Sequence, residues 1–110
     1  MDVTIQALER YLHRQYGDGA DPQGLFMKLV EEMGEIAEVL NQRTGRKARD
    51  GRDLDAELGN ELADLIHYAV AIAAVNCLDL NQIILDKDRQ ASVKYHREVN
   101  LEQFLSEPPK

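Results

Sequence analysis

Tryptophan is absent, aromatic residues are only 5% of the 110 residues, and there are three prolines and a single cysteine. One cysteine cannot form an internal disulfide, so the fold is not a disulfide scaffold, and a reducing compartment fits. Cys77 sits in an apolar run, where a buried free thiol is the expectation. Scarce proline and seven glycines among many Leu, Ala, Glu and Gln lean towards helix. No β-type alternation appears. No apolar stretch approaches the roughly 18 residues of a membrane span, and the amphipathic start MDVTIQALERYLHR is not a signal sequence. Together these predict a soluble cytoplasmic protein. Bases are also few, 13 against 20 acids, for a formal net charge of −7. Such a surface repels phosphate backbones and excludes broad DNA or RNA binding. A polyphosphate remains possible if a metal ion neutralises both sides.

What is present is helical spacing. With 44% hydrophobic residues the chain has enough apolar material for a core. Ile5, Leu8, Leu12 and Tyr16 predict a first helix over about 3–16, ended by Gly17-Asp18-Gly19. Asp21-Pro22 reads as an N-cap and first-turn proline, opening a second helix through Leu25, Leu29, Met33, Ile36 and Leu40 to about Thr44. A polar loop follows, carrying Arg46, Lys47, Arg49 and Arg52; exposed loop charges are usually solvated, so it is a secondary phosphate candidate. Asp53 caps a third helix to about Asn76, through Leu58, Leu62, Leu65, Ala69 and Ile72. Asp79 with Gln82 starts a fourth that reaches about Tyr95. The expectation is an all-α fold of four helices, one domain over 1–105, with 106–110 a flexible tail.

Acids stand in unexpected places on helices two and three. At about 100° per residue, the apolar arc of helix two runs from Leu25 to Met33, and Glu32 projects only about 20° outside it. Glu35 lies one turn on, nearer the edge. Helix three repeats this 29 residues later: Glu61 falls on Glu32, beside Leu54 and Ile72, and Asp64 falls on Glu35. Burying an ionised carboxylate costs several kcal/mol unless it is paired or binds a metal. Salt bridges with Lys or Arg explain any single glutamate. Four acids at matching offsets, on antiparallel helices about 8–10 Å apart, fit a shared cation better. Oxygen-only ligands select hard cations, first Mg²⁺, with Mn²⁺ as a substitute. Zinc motifs are absent, and the Glu-x-x-His pairs of a di-iron bundle are incomplete because helix two carries Glu38 where helix three carries His67. Glu31 and Glu38 point further round; Glu31, beside Glu35, is a candidate general base.

Helix four offers opposite charge. Leu80, Ile83, Ile84 and Ala91 define its apolar arc, Lys87 falls inside it and Lys94 nearby. Either these lysines snorkel at a domain edge or they meet phosphate oxygens beside the metal. Tyr95 could stack on a base or simply pack at a helix end. His13, His67 and His96 share no triad spacing, and no P-loop or nucleophile elbow occurs.

The pairing of Glu31-Glu32-Met33-Gly34-Glu35 with a downstream Glu61-Leu62-Ala63-Asp64 resembles the MazG-like nucleotide pyrophosphohydrolases, of the all-α NTP pyrophosphatase superfamily. The similarity runs from about Leu25 to Tyr95 and includes Lys87…Lys94-Tyr95. It implies a MazG-like bundle completed by oligomerisation, as homodimer or homotetramer, since Phe26, Val30, Ile66 and Val70 lie off the main arc. It also implies Mg²⁺-dependent hydrolysis of (d)NTP to (d)NMP and pyrophosphate, in nucleotide-pool house-cleaning. Metal ligands transfer to Glu32, Glu35, Glu61 and Asp64, proton abstraction to Glu35 or Glu31, phosphate binding to Lys87 and Lys94, and nucleotide contact to Tyr95. Many relatives have asparagine where this sequence has Ala91, which alters sugar or phosphate contacts. The competing readings are a phosphoribosyl-ATP pyrophosphohydrolase-like enzyme, a non-catalytic helical interaction module, and a carboxylate-bridged metal-storage or redox bundle.

Overall fold

The protein is represented by a computed structural model that describes residues 1–17, 19–44 and 53–107. Five helices follow one another: α1 Ile5–Tyr16, α2 Pro22–Arg43, α3 Leu54–Val75, α4 Leu80–Lys94 and α5 Leu101–Ser106. No strand occurs among the described residues. Thr4, Asp21, Asp53 and Asp79 each accept a backbone N–H at the start of α1 to α4, so local side-chain chemistry sets where the helices begin. The basic loop from Arg46 to Arg52 lies outside the described residues.

Helix α3 is the axis of the fold. α2 runs antiparallel along it, fixed at the loop end by an Arg43–Asp55 ion pair of 3.3 Å, and α1 packs on another side of its C-terminal half. The core joins Leu12, Leu25, Val70, Ala71 and Ala74, with Ile5, Leu8, Tyr68 and Ile72 against it. The alanines let α1 approach closely, and Tyr16 Oη bonds His67 Nε2 at 2.7 Å where α1 ends. Val70, expected off the main arc, is buried, because Leu12 of α1 and Leu25 of α2 join it in one core. α3 is also long and apolar enough to cross a membrane by length and composition, contrary to the sequence reading. Its first half nevertheless carries Glu57, Glu61 and Asp64, and it packs between α1 and α2.

Helices α3 and α4 stop without glycine. Cys77 and His96 take left-handed φ values of 56° and 55° just past the caps. In each case the next residue donates back, Leu78 N to Ala73 O and Arg97 N to Ser92 O, both at 3.0 Å. With a second bond at each terminus, Cys77 N to Ala74 O at 3.1 Å and His96 N to Val93 O at 3.3 Å, these offset a backbone cost of about 1–2 kcal/mol. This turn leaves Cys77 exposed, which corrects the expected buried thiol.

The four-helix expectation misses α5. Asn100 and Gln103 form a reciprocal capping box, Asp88 Oδ2 accepts Leu101 N–H at 2.6 Å, and Arg89 reaches Glu102 at 2.8 Å. Six residues would not hold a helix alone; α4 supplies what fixes it. Ser106, placed in the tail by the sequence reading, is its last residue, and 108–110 lie outside the described residues. The α4–α5 pair touches the remainder mainly through α1. The radius of gyration is accordingly 17.2 Å, against about 13 Å for a compact chain of this length.

Candidate metal centre

The packed face of α2 is rotated from the arc the apolar residues suggest. Leu25, Val39 and Gln42 are buried, while Met33 and Leu40 are exposed. Taking Leu25 as zero, the buried face spans about −100° to 0°, with Glu32 at about −20° and Glu35 at about −80°. Glu32 is therefore on the packed face itself. On α3, counted from Leu54, Glu61 and Asp64 occupy about the same angles. Two antiparallel helices that meet through these faces bring the four acids to one side of their seam.

Carboxylate oxygens of Glu32, Glu61 and Asp64 all lie within 4.8 Å of one another. Glu32 and Glu61 are half-buried, and each has an Oε2 atom shielded from solvent that accepts no hydrogen bond. Glu35 and Glu32 lie within hydrogen-bonding reach of Glu61, and acceptor faces acceptor there. Such an arrangement holds only with a shared proton or a shared cation. Without a metal, the Glu35 and Glu32 carboxylates, aided by burial, push the Glu61 carboxyl from 4.5 up to about 8. An acid raised on folding contributes stability that is full below the unfolded value and lost as pH rises through the folded one. The metal-free protein thus loses stability across about pH 4.5 to 8 through this group.

Among the described residues no Lys, Arg or His forms an ion pair with Glu32, Glu35, Glu61 or Asp64. Salt bridging therefore does not account for their position. Oxygen donors alone, close together, with two orphaned buried oxygens, fit a hard divalent cation. Glu31 is exposed and pairs with Lys28 at 3.5 Å, away from the convergence. Glu38 is exposed and receives Gln42 Nε2 at 3.5 Å. Glu57, which spacing alone did not single out, is half-buried one turn before Glu61 and extends the acidic row.

Lys87 and Lys94 are not brought to this cluster. With Gln90, Ala91 and Tyr95 they line a separate cavity of about 300 Å³ on α4, which packs on α1 and α5 instead of along the α2–α3 seam. Tyr95 is exposed, with Lys94 Nζ 5.4 Å and Arg97 Cζ 5.8 Å from its ring centre. Ile83 and Ile84 of the expected apolar arc are exposed as well. The opposite side of the α2–α3 hairpin presents Phe26, Val30, Met33, Leu40, Leu62 and Ile66, roughly half exposed.

The described residues thus form an all-α protein whose antiparallel α2–α3 pair carries a carboxylate cluster that could hold a hard divalent cation. No family model matches the chain. Among curated proteins, dCTP pyrophosphatase 1 of Bos taurus is 35% identical over 96 residues, 78% of this chain and 56% of the relative. The human dCTP pyrophosphatase 1 is 32% identical over 96 residues, 78% of this chain and 55% of the relative. The uncharacterized protein YpjD of Bacillus subtilis (strain 168) is 33% identical over 84 residues, 73% of this chain and 74% of the relative. The chain belongs to the MazG-like nucleotide pyrophosphohydrolase family. It spans about half the length of the dCTP pyrophosphatases it matches.

Proposed function

We propose that this protein is a Mg²⁺-dependent nucleoside triphosphate pyrophosphohydrolase that releases a nucleoside monophosphate and pyrophosphate. The single observation that carries the reading is the convergence of Glu32, Glu61 and Asp64, two of them with buried oxygens lacking any partner. Glu32, Glu35, Glu61 and Asp64 would hold the ion, with Mn²⁺ able to substitute. When bound, the ion offsets phosphate charge and lowers the pKa of a nearby water. The protein's own part is to keep these acids apart from bases that would neutralise them, and to accept a proton from the attacking water. Glu35 is the better placed acceptor, because it reaches Glu61 while Glu31 is held by Lys28.

Neutralising the departing pyrophosphate requires cations, and among the described residues no Lys or Arg forms an ion pair with the cluster. A second copy supplies them in the proposed assembly. The apolar face of the α2–α3 hairpin gives that copy a surface to cover, and the Lys87–Lys94 face of α4 complements an acidic groove. The protein is accordingly a homodimer or homotetramer, acting on the cytoplasmic nucleotide pool. The deoxycytidine nucleotide in the names of two relatives makes dCTP the first substrate to assay. Purified protein incubated with a panel of (d)NTPs and Mg²⁺ is expected to release pyrophosphate, not orthophosphate, and to stop on chelation. No release from any nucleotide would favour a helical interaction module instead.

A further inference from the structure

Helix α4 leaves the body of the protein as an arm. Its first residue, Leu80, packs against the core, whereas Ile83 and Ile84 one turn on are exposed, and Lys87 and Lys94 lie beyond. α5 is fixed to α4 itself, through Asp88 and Arg89, so it travels with the arm. The direction of the arm is therefore set at its root. Lys87 and Lys94 stand about 10 Å and about 21 Å from Leu80 along the axis, so a swing of about 10° at the root moves them by about 2 Å and about 4 Å.

A side chain from α1 reaches that root. Glu9, half-buried, accepts the Leu80 N–H through Oε1 at 2.8 Å, across 71 residues of sequence. Asp79, the cap of α4, accepts the Gln82 N–H at 3.1 Å, which leaves the Leu80 N–H to Glu9. A carboxylate on a helix N-terminus makes a charge-assisted bond and meets the positive end of the helix dipole. Among the described residues no Lys, Arg or His forms an ion pair with Glu9, so salt bridging does not account for its position. α1 is a firm base for it: Leu12 is wholly buried, and Tyr16 Oη meets His67. Packing does not hold the joint in the same way. Beside it opens a cavity of about 450 Å³, walled by Gln6, Glu9 and Arg10 on α1 and by Cys77, Leu78 and Asp79 of the turn. The arm has room to swing there once the bond is lost.

We infer that Glu9 is a positioning residue: by holding the Leu80 N–H it sets the direction of α4 and so places Lys87 and Lys94 against the pyrophosphate. The inference rests on the reading in which those lysines neutralise the leaving group, and it adds what aims them. Glu9 touches no part of the substrate and acts only through the arm. Glutamine in its place keeps an acceptor oxygen, and alanine does not.

Glu9→Ala and Glu9→Gln test it in the full chain, each alone and each combined with Lys87→Ala and Lys94→Ala. Three quantities are read: exchange of the Leu80 amide hydrogen, binding of inorganic pyrophosphate with Mg²⁺ present, and kcat for dCTP. In Glu9→Ala the Leu80 amide should exchange at least about tenfold faster, with the α3 amides unchanged, because a hydrogen bond to a charged group is lost. Pyrophosphate binding and kcat should each fall at least about tenfold, while Mg²⁺ binding stays as in the wild type. Glu9→Gln should restore most of all three. In the chain without the two lysines, Glu9→Ala should lower pyrophosphate binding no further, whereas a merely structural role would lower it equally in both backgrounds. Unchanged Leu80 exchange overturns the joint. Faster exchange with unaltered pyrophosphate binding, or an equal loss without the two lysines, overturns the aiming of the arm. A protein that shows these shifts in pyrophosphate binding yet releases none from any nucleotide would instead overturn the enzymatic reading and leave Glu9 in its role.

Discussion

Glu32→Gln and Asp64→Asn should each lower pyrophosphate release by about 10²–10³-fold, the usual cost of deleting one fixed electrostatic partner of a reacting centre. The helical circular dichroism should stay unchanged, because neither side chain holds a helix cap or a hydrogen bond in the core. The metal-free variants should melt no lower than the wild type, since each removes one of several like charges crowded within 4.8 Å. That pairing of outcomes separates a ligand from a packing residue. A residue kept for packing or salt bridging would lower the melting temperature when changed and leave the chemistry nearly intact. Measurements of turnover and thermal melting on the same samples decide it, and full activity in either variant removes that residue from the site.

Ile66→Asp should convert the assembly to monomers and reduce activity at least about tenfold. Ile66, Leu62, Val30, Met33 and Phe26 form one exposed apolar side of the hairpin, facing away from the acids. Covering such side chains stabilises by about 1.5–3 kcal/mol for each one wholly buried, and a carboxylate at their centre costs several kcal/mol when unpaired. In an isolated chain the same change costs less, because Ile66 is already about half exposed. Light scattering reports the mass, and adding protein to high concentration should restore part of the activity. A variant of unchanged mass would show that this side is not an interface. A monomer with full turnover would show that the cations of a second copy are not needed.

Periodicity made the helices legible, because caps and apolar spacing are local properties; Asp21-Pro22 and Asp53 start their helices where expected. The acids were legible for a different reason: charge on a packed face is an anomaly visible without coordinates. The exact packed face was not. Apolar residues around Met33 and Leu40 suggested an arc that the hairpin leaves exposed, and the face that packs is centred near Glu32. A helix with apolar residues on two sides, one for α3 and one left uncovered, cannot be oriented from spacing alone. Val70 and Tyr16–His67 depend on where α1 docks, a long-range event with no local signature. α5 did leave one, since Asn100 and Gln103 have capping-box spacing, but its apolar run is too short to attract notice. Lys87 and Lys94 were legible as displaced charges, although their destination depends on assembly.

Calorimetric titration of Mg²⁺ into the purified protein near pH 7, repeated in buffers of different ionisation enthalpy, tests the central claim most directly. A Glu61 carboxyl that keeps its proton up to about pH 8 must surrender it to a cation, so binding should release close to one proton per ion at this pH. Affinity should rise with pH, and Glu61→Gln should abolish both binding and release. Absence of Mg²⁺ binding, or binding that ignores pH and survives Glu61→Gln, would contradict the account.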